Sequence, residues 1–119
     1  MDEDDPQWPD AALAAMADQL GGEDIVLEVV AVYLECLPER LAAMSADALH
    51  SREEMGRAAH SLKSASAQLG LHDLSQSCAR LEQLARDDGG ADVRAAADDV
   101  TLRAQVAQEA LTRWSAGRT

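Results

Sequence analysis

Phenylalanine is absent from this 119-residue chain, tyrosine occurs once, and aromatic residues make up only 3% of it. Strands favour aromatic and β-branched side chains, so a chain short of them and rich in alanine and leucine points to helices. Proline occurs only at positions 6, 9 and 38, so nothing after Pro38 carries that helix breaker. Positive charge is also scarce: 10 Lys and Arg stand against 22 Asp and Glu, a net charge of -12. Nucleic acid and anionic membrane surfaces require a basic footprint, so neither is an expected partner. The two cysteines, Cys36 and Cys78, form no CxxC pair, as expected for reduced, largely buried thiols in a cytoplasmic protein. No signal peptide is legible, because Met1-Asp2-Glu3-Asp4-Asp5 is acidic where a basic region would be needed. The longest apolar stretch, Ile25 to Leu37, contains Glu28 and Glu35 and is too short to span a bilayer.

What remains is enough for one domain with a real core. Residues 1–9 are expected to form a flexible acidic tail, and residues 10–117 a single helical domain. Apolar positions repeating with a period near 3.6 define five segments. The first, about 10–20, follows Pro9 and stops at Gly21-Gly22. The second starts at residue 23 or 24 and carries Ile25, Val29, Val32 and Cys36; apolar around most of its circumference, it reads as a central helix. Its pattern resumes after Pro38 as Leu41, Met44 and Leu49, so a kink or short break is expected there. The third opens on Ser51 with Glu54 three residues on, a capping box, and runs to Leu69 before Gly70. The fourth covers about 72–87, closed by Gly89-Gly90, and the fifth about 92–114. Short connections make sequential helices antiparallel. The expected fold is all-α: an antiparallel up-down four-helix bundle with a short additional N-terminal helix. No heptad seam is left over, so a monomer is expected.

The chemistry concentrates in the third segment. Met55, Ala59, Leu62, Ser66 and Leu69 form its core face. His60 lies two residues, about 200°, from Leu62 and points outward or to the flank. Around it stand Gly56, Arg57, Lys63, Ser64 and Ala67. Lys63 is the chain's one lysine. Gly56 lowers helix propensity, but the small side chains let another protein's backbone approach the ring. Arg57 and Lys63 offer charge-assisted donors to a phosphoryl group on the imidazole, and the Ser64 hydroxyl offers another. On spacing alone this reading and an incidental histidine on a solvated face stand level. His50 and His72 have no Cys, His or carboxylate at metal-ligand spacing, so no metal site is expected. No phosphate loop, nucleophile elbow or catalytic carboxylate pair is present, and Glu53-Glu54 and Asp87-Asp88 read as solvated helix ends.

His60-Ser61-Leu62-Lys63-Ser64-Ala65-Ser66-Ala67-Gln68-Leu69-Gly70 resembles the signature of histidine-containing phosphotransfer (HPt) domains, H-x-L-K-G-x-x-x-x-x-G on a long bundle helix. The likeness extends over about residues 10–115, including a preceding helix interrupted by proline and a following Leu81-Glu82-Gln83-Leu84-Ala85-Arg86. It implies that His60 accepts the phosphoryl group, Lys63 steadies it and Gly70 ends the helix. Ser64 departs from the family's usual glycine. Gln68 stands where many members carry a small or amide residue, and is expected to reach the fourth helix. The implied role is a phosphoryl carrier, not an enzyme, that has no cofactor of its own. Its partners would be receiver domains of response regulators or of a hybrid sensor kinase, which supply the Mg²⁺. Gly56, Arg57, Ser64, Ala67 and Gln68 would form the docking face. The alternative is a helical-bundle docking module that binds a receiver, enzyme or regulator without obligatory phosphotransfer.

Overall fold

The computed structural model describes residues 8–45, 52–87 and 91–118. Five helices occupy them: α1 (Asp10–Leu20), α2 (Glu23–Met44), α3 (Arg52–Gln68), α4 (His72–Arg86) and α5 (Ala91–Ala116). No strand occurs among the described residues. The expected capping residue Ser51, together with His50, Leu49 and Gly89-Gly90, lies outside them. Each helix packs on the next, and α2 also meets α5, so α2 to α5 close a ring around one core while α1 lies against α2. The α3–α4 contact is the most extensive.

The buried positions follow helical spacing: Val26, Val30, Tyr33 and Leu37 on α2, Met55, Ala59, Leu62 and Ser66 on α3, and Leu74, Cys78, Leu81 and Ala85 on α4. On α5, Ala96, Ala97, Val100, Ala104, Ala107 and Leu111 are buried. Alanines at these positions let α5 approach its neighbours closely. The stripe on α2 is not the one the sequence favours. Ile25 and Val32 are exposed, and Val29 and Cys36 are half-buried. A helix apolar on both sides contains two stripes of the same period, and only its neighbours decide which turns inward.

α2 continues through Pro38, which is exposed. The hydrogen bond that proline cannot make to the Leu34 carbonyl is therefore lost on the solvent side, where water can serve that oxygen.

The tail boundary is also corrected. Trp8 is buried, and its indole N–H donates to the Leu69 carbonyl at 3.0 Å. Its large apolar body, not its place near an acidic start, decides where it goes. This contact sits on the end of α3. The Gly70 N–H donates to the Ala67 carbonyl and the Leu71 N–H to the Ser66 carbonyl, the paired bonds of a Schellman motif. Gly70 has φ +82°, and a Cβ there would come within 2.9 Å of Ala12 Cβ. Conformation and space both require glycine at this point.

Candidate functional site

α3 is held in register from both sides. On one, the Tyr33 hydroxyl of α2 and the Ser66 hydroxyl share a buried hydrogen bond of 2.9 Å. On the other, the Ser75 hydroxyl of α4 donates to the Lys63 carbonyl at 3.0 Å. Ser75 and Glu82 are seven residues apart, two turns on the same flank of α4. The register that brings Ser75 to α3 therefore also brings Glu82 there.

Glu82 forms the centre of the site. One carboxylate oxygen accepts from Lys63 Nζ at 2.7 Å, and the other lies 3.0 Å from His60 Nδ1. Arg86 reaches that second oxygen at 3.4 Å. The Glu82 side chain is 15% exposed, Lys63 30% and His60 60%. The lysine is thus held against the carboxylate while the imidazole stands out into solvent. The hydrogen bond from Lys63 holds the Glu82 carboxyl below the usual carboxylate range, with further help from the charge on Lys63 and the bond from His60.

This geometry has a direct chemical consequence. An ionised carboxylate only accepts hydrogen bonds, so the bond to His60 requires the proton on Nδ1. In the neutral ring, Nε2 then carries the free lone pair. The exposed nitrogen is the nucleophilic one, and any positive charge the ring gains is met by Glu82. Such a pairing orients the imidazole without burying it.

His60 separates two grooves. Between α3 and α4, Gly56, Arg57 and Arg86 line a groove with His60 and Glu82. A Cβ on Gly56 would meet nothing within 4 Å, so the space beside it is open. On the α2 side, Ser64, Ala65, Ala67 and Gln68 line a shallow depression with His60 and with Arg40 of α2. It adjoins a more apolar trough formed by Val29, Val32, Tyr33 and Ala65, with Glu28, Arg40 and Gln68 at its polar edges.

The residues expected from the sequence are therefore divided between the two sides. His60, Ser64, Ala67 and Gln68 are exposed, as is Arg57. Arg57 is engaged with Glu53 at 2.9 Å within its own helix. Gln68 does not reach α4: it lines the α2 side, because it lies about 140° around α3 from Lys63. Lys63 is not a free cation but one already held by a carboxylate. Glu82 was not among the neighbours expected for His60, because it is far away in sequence and belongs to a different helix. Arg40 was likewise not legible as a neighbour of His60. No group of three or more His, Cys, Asp or Glu side chains that could hold a metal occurs among the described residues.

The family model for the Hpt domain matches residues 28–114. The chain belongs to the Hpt domain family, whose members have a phosphotransfer role in two-component phosphorelays. The match takes in α3 and α4 whole, and with them His60, Lys63 and Glu82. No curated protein and no solved structure matches the chain. No helix among the described residues is long and apolar enough to cross a membrane.

Proposed function

We propose that this chain is a two-way phosphoryl carrier acting between receiver domains, with His60 as the acceptor. Nε2 of His60 attacks the phosphorus of an aspartyl phosphate on one receiver. The N–P bond forms, the P–O bond to the aspartate breaks, and the carboxylate leaves. The reverse step onto an aspartate of another receiver regenerates the neutral ring. Glu82 keeps the Nδ1 proton in place and balances the positive charge on the ring. Lys63, with Ser64 close by in sequence, supplies donors to the phosphoryl oxygens. Mg²⁺ belongs to the receiver, along with most of the transition-state stabilisation, and the carrier is not itself an enzyme. The four long helices form an antiparallel up-down bundle with α1 as an addition, acting as a cytoplasmic monomer.

The observation that carries this reading is the exposed imidazole tied through Nδ1 to a carboxylate that also binds the lysine, within a matched Hpt region. Ser64 is exposed on the α2 side of His60, so a hydroxyl in place of the family's glycine leaves the depression open. The test is incubation with purified receiver domains charged on their aspartate. The wild type should acquire an acid-labile, base-stable label, and His60→Gln none. Equal labelling of His60→Gln would refute the assignment. If His60→Ala keeps both partner binding and biological output, the docking-module reading replaces it.

A further inference from the structure

Five cations surround His60: Arg40, Arg52, Arg57, Lys63 and Arg86. Four are engaged. Arg57 pairs with Glu53, Lys63 and Arg86 share Glu82, and Arg52 is also engaged. Arg40 differs. Among the described residues it forms no ion pair and no hydrogen bond. It is half-buried on α2 and borders both the depression that contains His60 and the trough of Val29, Val32 and Tyr33. Val32 is 57% exposed within that trough. An apolar strip adjoining the His60 depression, edged by a guanidinium that forms no ion pair among the described residues, is complementary to a protein surface that brings a carboxylate.

We propose that Arg40 is a specificity-determining contact: it takes a surface carboxylate of the receiver docked over the α2–α3 trough. This assignment rests on the carrier reading above. The anion is placed on the incoming protein and not on His60, because the phosphoryl group already has Lys63 on α3. Arg40 comes from α2 and borders a trough that leads away from the ring. A guanidinium holds a carboxylate through two parallel hydrogen bonds, which fixes orientation as well as charge. Its effect should therefore fall on encounter and docking, not on the bond-making step.

Arg40→Ala, Arg40→Lys and wild type should be compared in single-turnover transfer from a receiver domain phosphorylated with acetyl phosphate, at several salt concentrations. Arg40→Ala should raise the receiver concentration at half-maximal rate about tenfold and weaken the salt dependence, leaving the maximal rate within about twofold. Arg40→Lys should recover part of the loss. The thermal midpoint should not move, since no hydrogen bond or ion pair among the described residues is lost. The lifetime of isolated phospho-His60 should also be unchanged. An unaltered half-maximal concentration with a labelled wild type would overturn the Arg40 assignment alone. So would a shortened phospho-His60 lifetime, which would put Arg40 on the phosphoryl group. Failure of the wild type to accept label from any receiver would instead overturn the carrier reading, and this assignment with it.

Discussion

Replacing Glu82 by glutamine tests the centre of the site with almost no change in shape. The carboxylate serves His60 at 3.0 Å, Lys63 at 2.7 Å and Arg86 at 3.4 Å. An amide can still accept from Lys63, but its nitrogen can equally donate to Nδ1. That donation favours the tautomer with the proton on Nε2, which has no lone pair for attack. Hydrogen bonds to charged groups contribute about 1.5–3 kcal/mol. His60 is 60% exposed, so solvent screening puts the loss near the lower end of that range. A loss of about 1–2 kcal/mol in the transition state is roughly a 5- to 30-fold slower transfer. Two measurements check this. Nitrogen NMR of the His60 ring reads the tautomer with no partner present, and single-turnover transfer reads the rate. Glu53→Gln, which removes a carboxylate that pairs with Arg57 and forms no bond to His60 or Glu82, should change neither. A wild-type-like tautomer and a transfer rate within twofold in Glu82→Gln would refute the reasoning.

The same variant should alter the acid limb of stability. The Glu82 carboxyl lies below its ordinary value of 4.5, chiefly through the Lys63 hydrogen bond. A depressed carboxyl contributes stability that is present above about pH 4.5 and lost as pH falls through its folded value. Denaturant titrations at pH 7 and pH 3 should therefore converge for wild type and Glu82→Gln at the lower pH. Gly70→Ala should destabilise by about 2 kcal/mol, from positive φ and the approach to Ala12, whereas Gly56→Ala should stabilise by up to about 1 kcal/mol in an open helical position; thermal melts separate them. Trp8→Phe should lose about 1 kcal/mol by leaving the Leu69 carbonyl without its donor, read by the denaturation midpoint. Burial pushes the Cys78 thiol up to about 12, so at pH 8 a thiol reagent should titrate Cys36 and reach Cys78 only on unfolding.

Much of this molecule is a local property of its chain. The bounds of α1 and α4, the stops at Gly21 and Gly70 and the outward direction of His60 depend on helical period and on residues within a few positions of one another. These were legible because a helix places side chains by their own spacing, whatever surrounds it. Gly70 was legible as the end of α3. Its second reason, the approach of Ala12 and Trp8, was not.

The rest depends on which surfaces meet. α2 contains two apolar stripes, and its neighbours, not its period, buried Val26, Val30 and Tyr33 and left Val32 exposed. Trp8 follows an acidic stretch of sequence, yet it is buried and its indole donates to the Leu69 carbonyl at the end of α3. Glu82 reads in sequence as one more acidic residue on a helix. It becomes the partner of His60 and Lys63 only because Ser75 and the core of α4 set the register against α3. By itself the sequence determined the family, the all-helical build and an exposed histidine beside a lysine, since each follows from local pattern. Only the tertiary structure decided that a carboxylate from another helix orients that histidine and that Arg40 forms no ion pair among the described residues. Contacts between helices depend on the packing of whole faces, and no spacing within one helix records them.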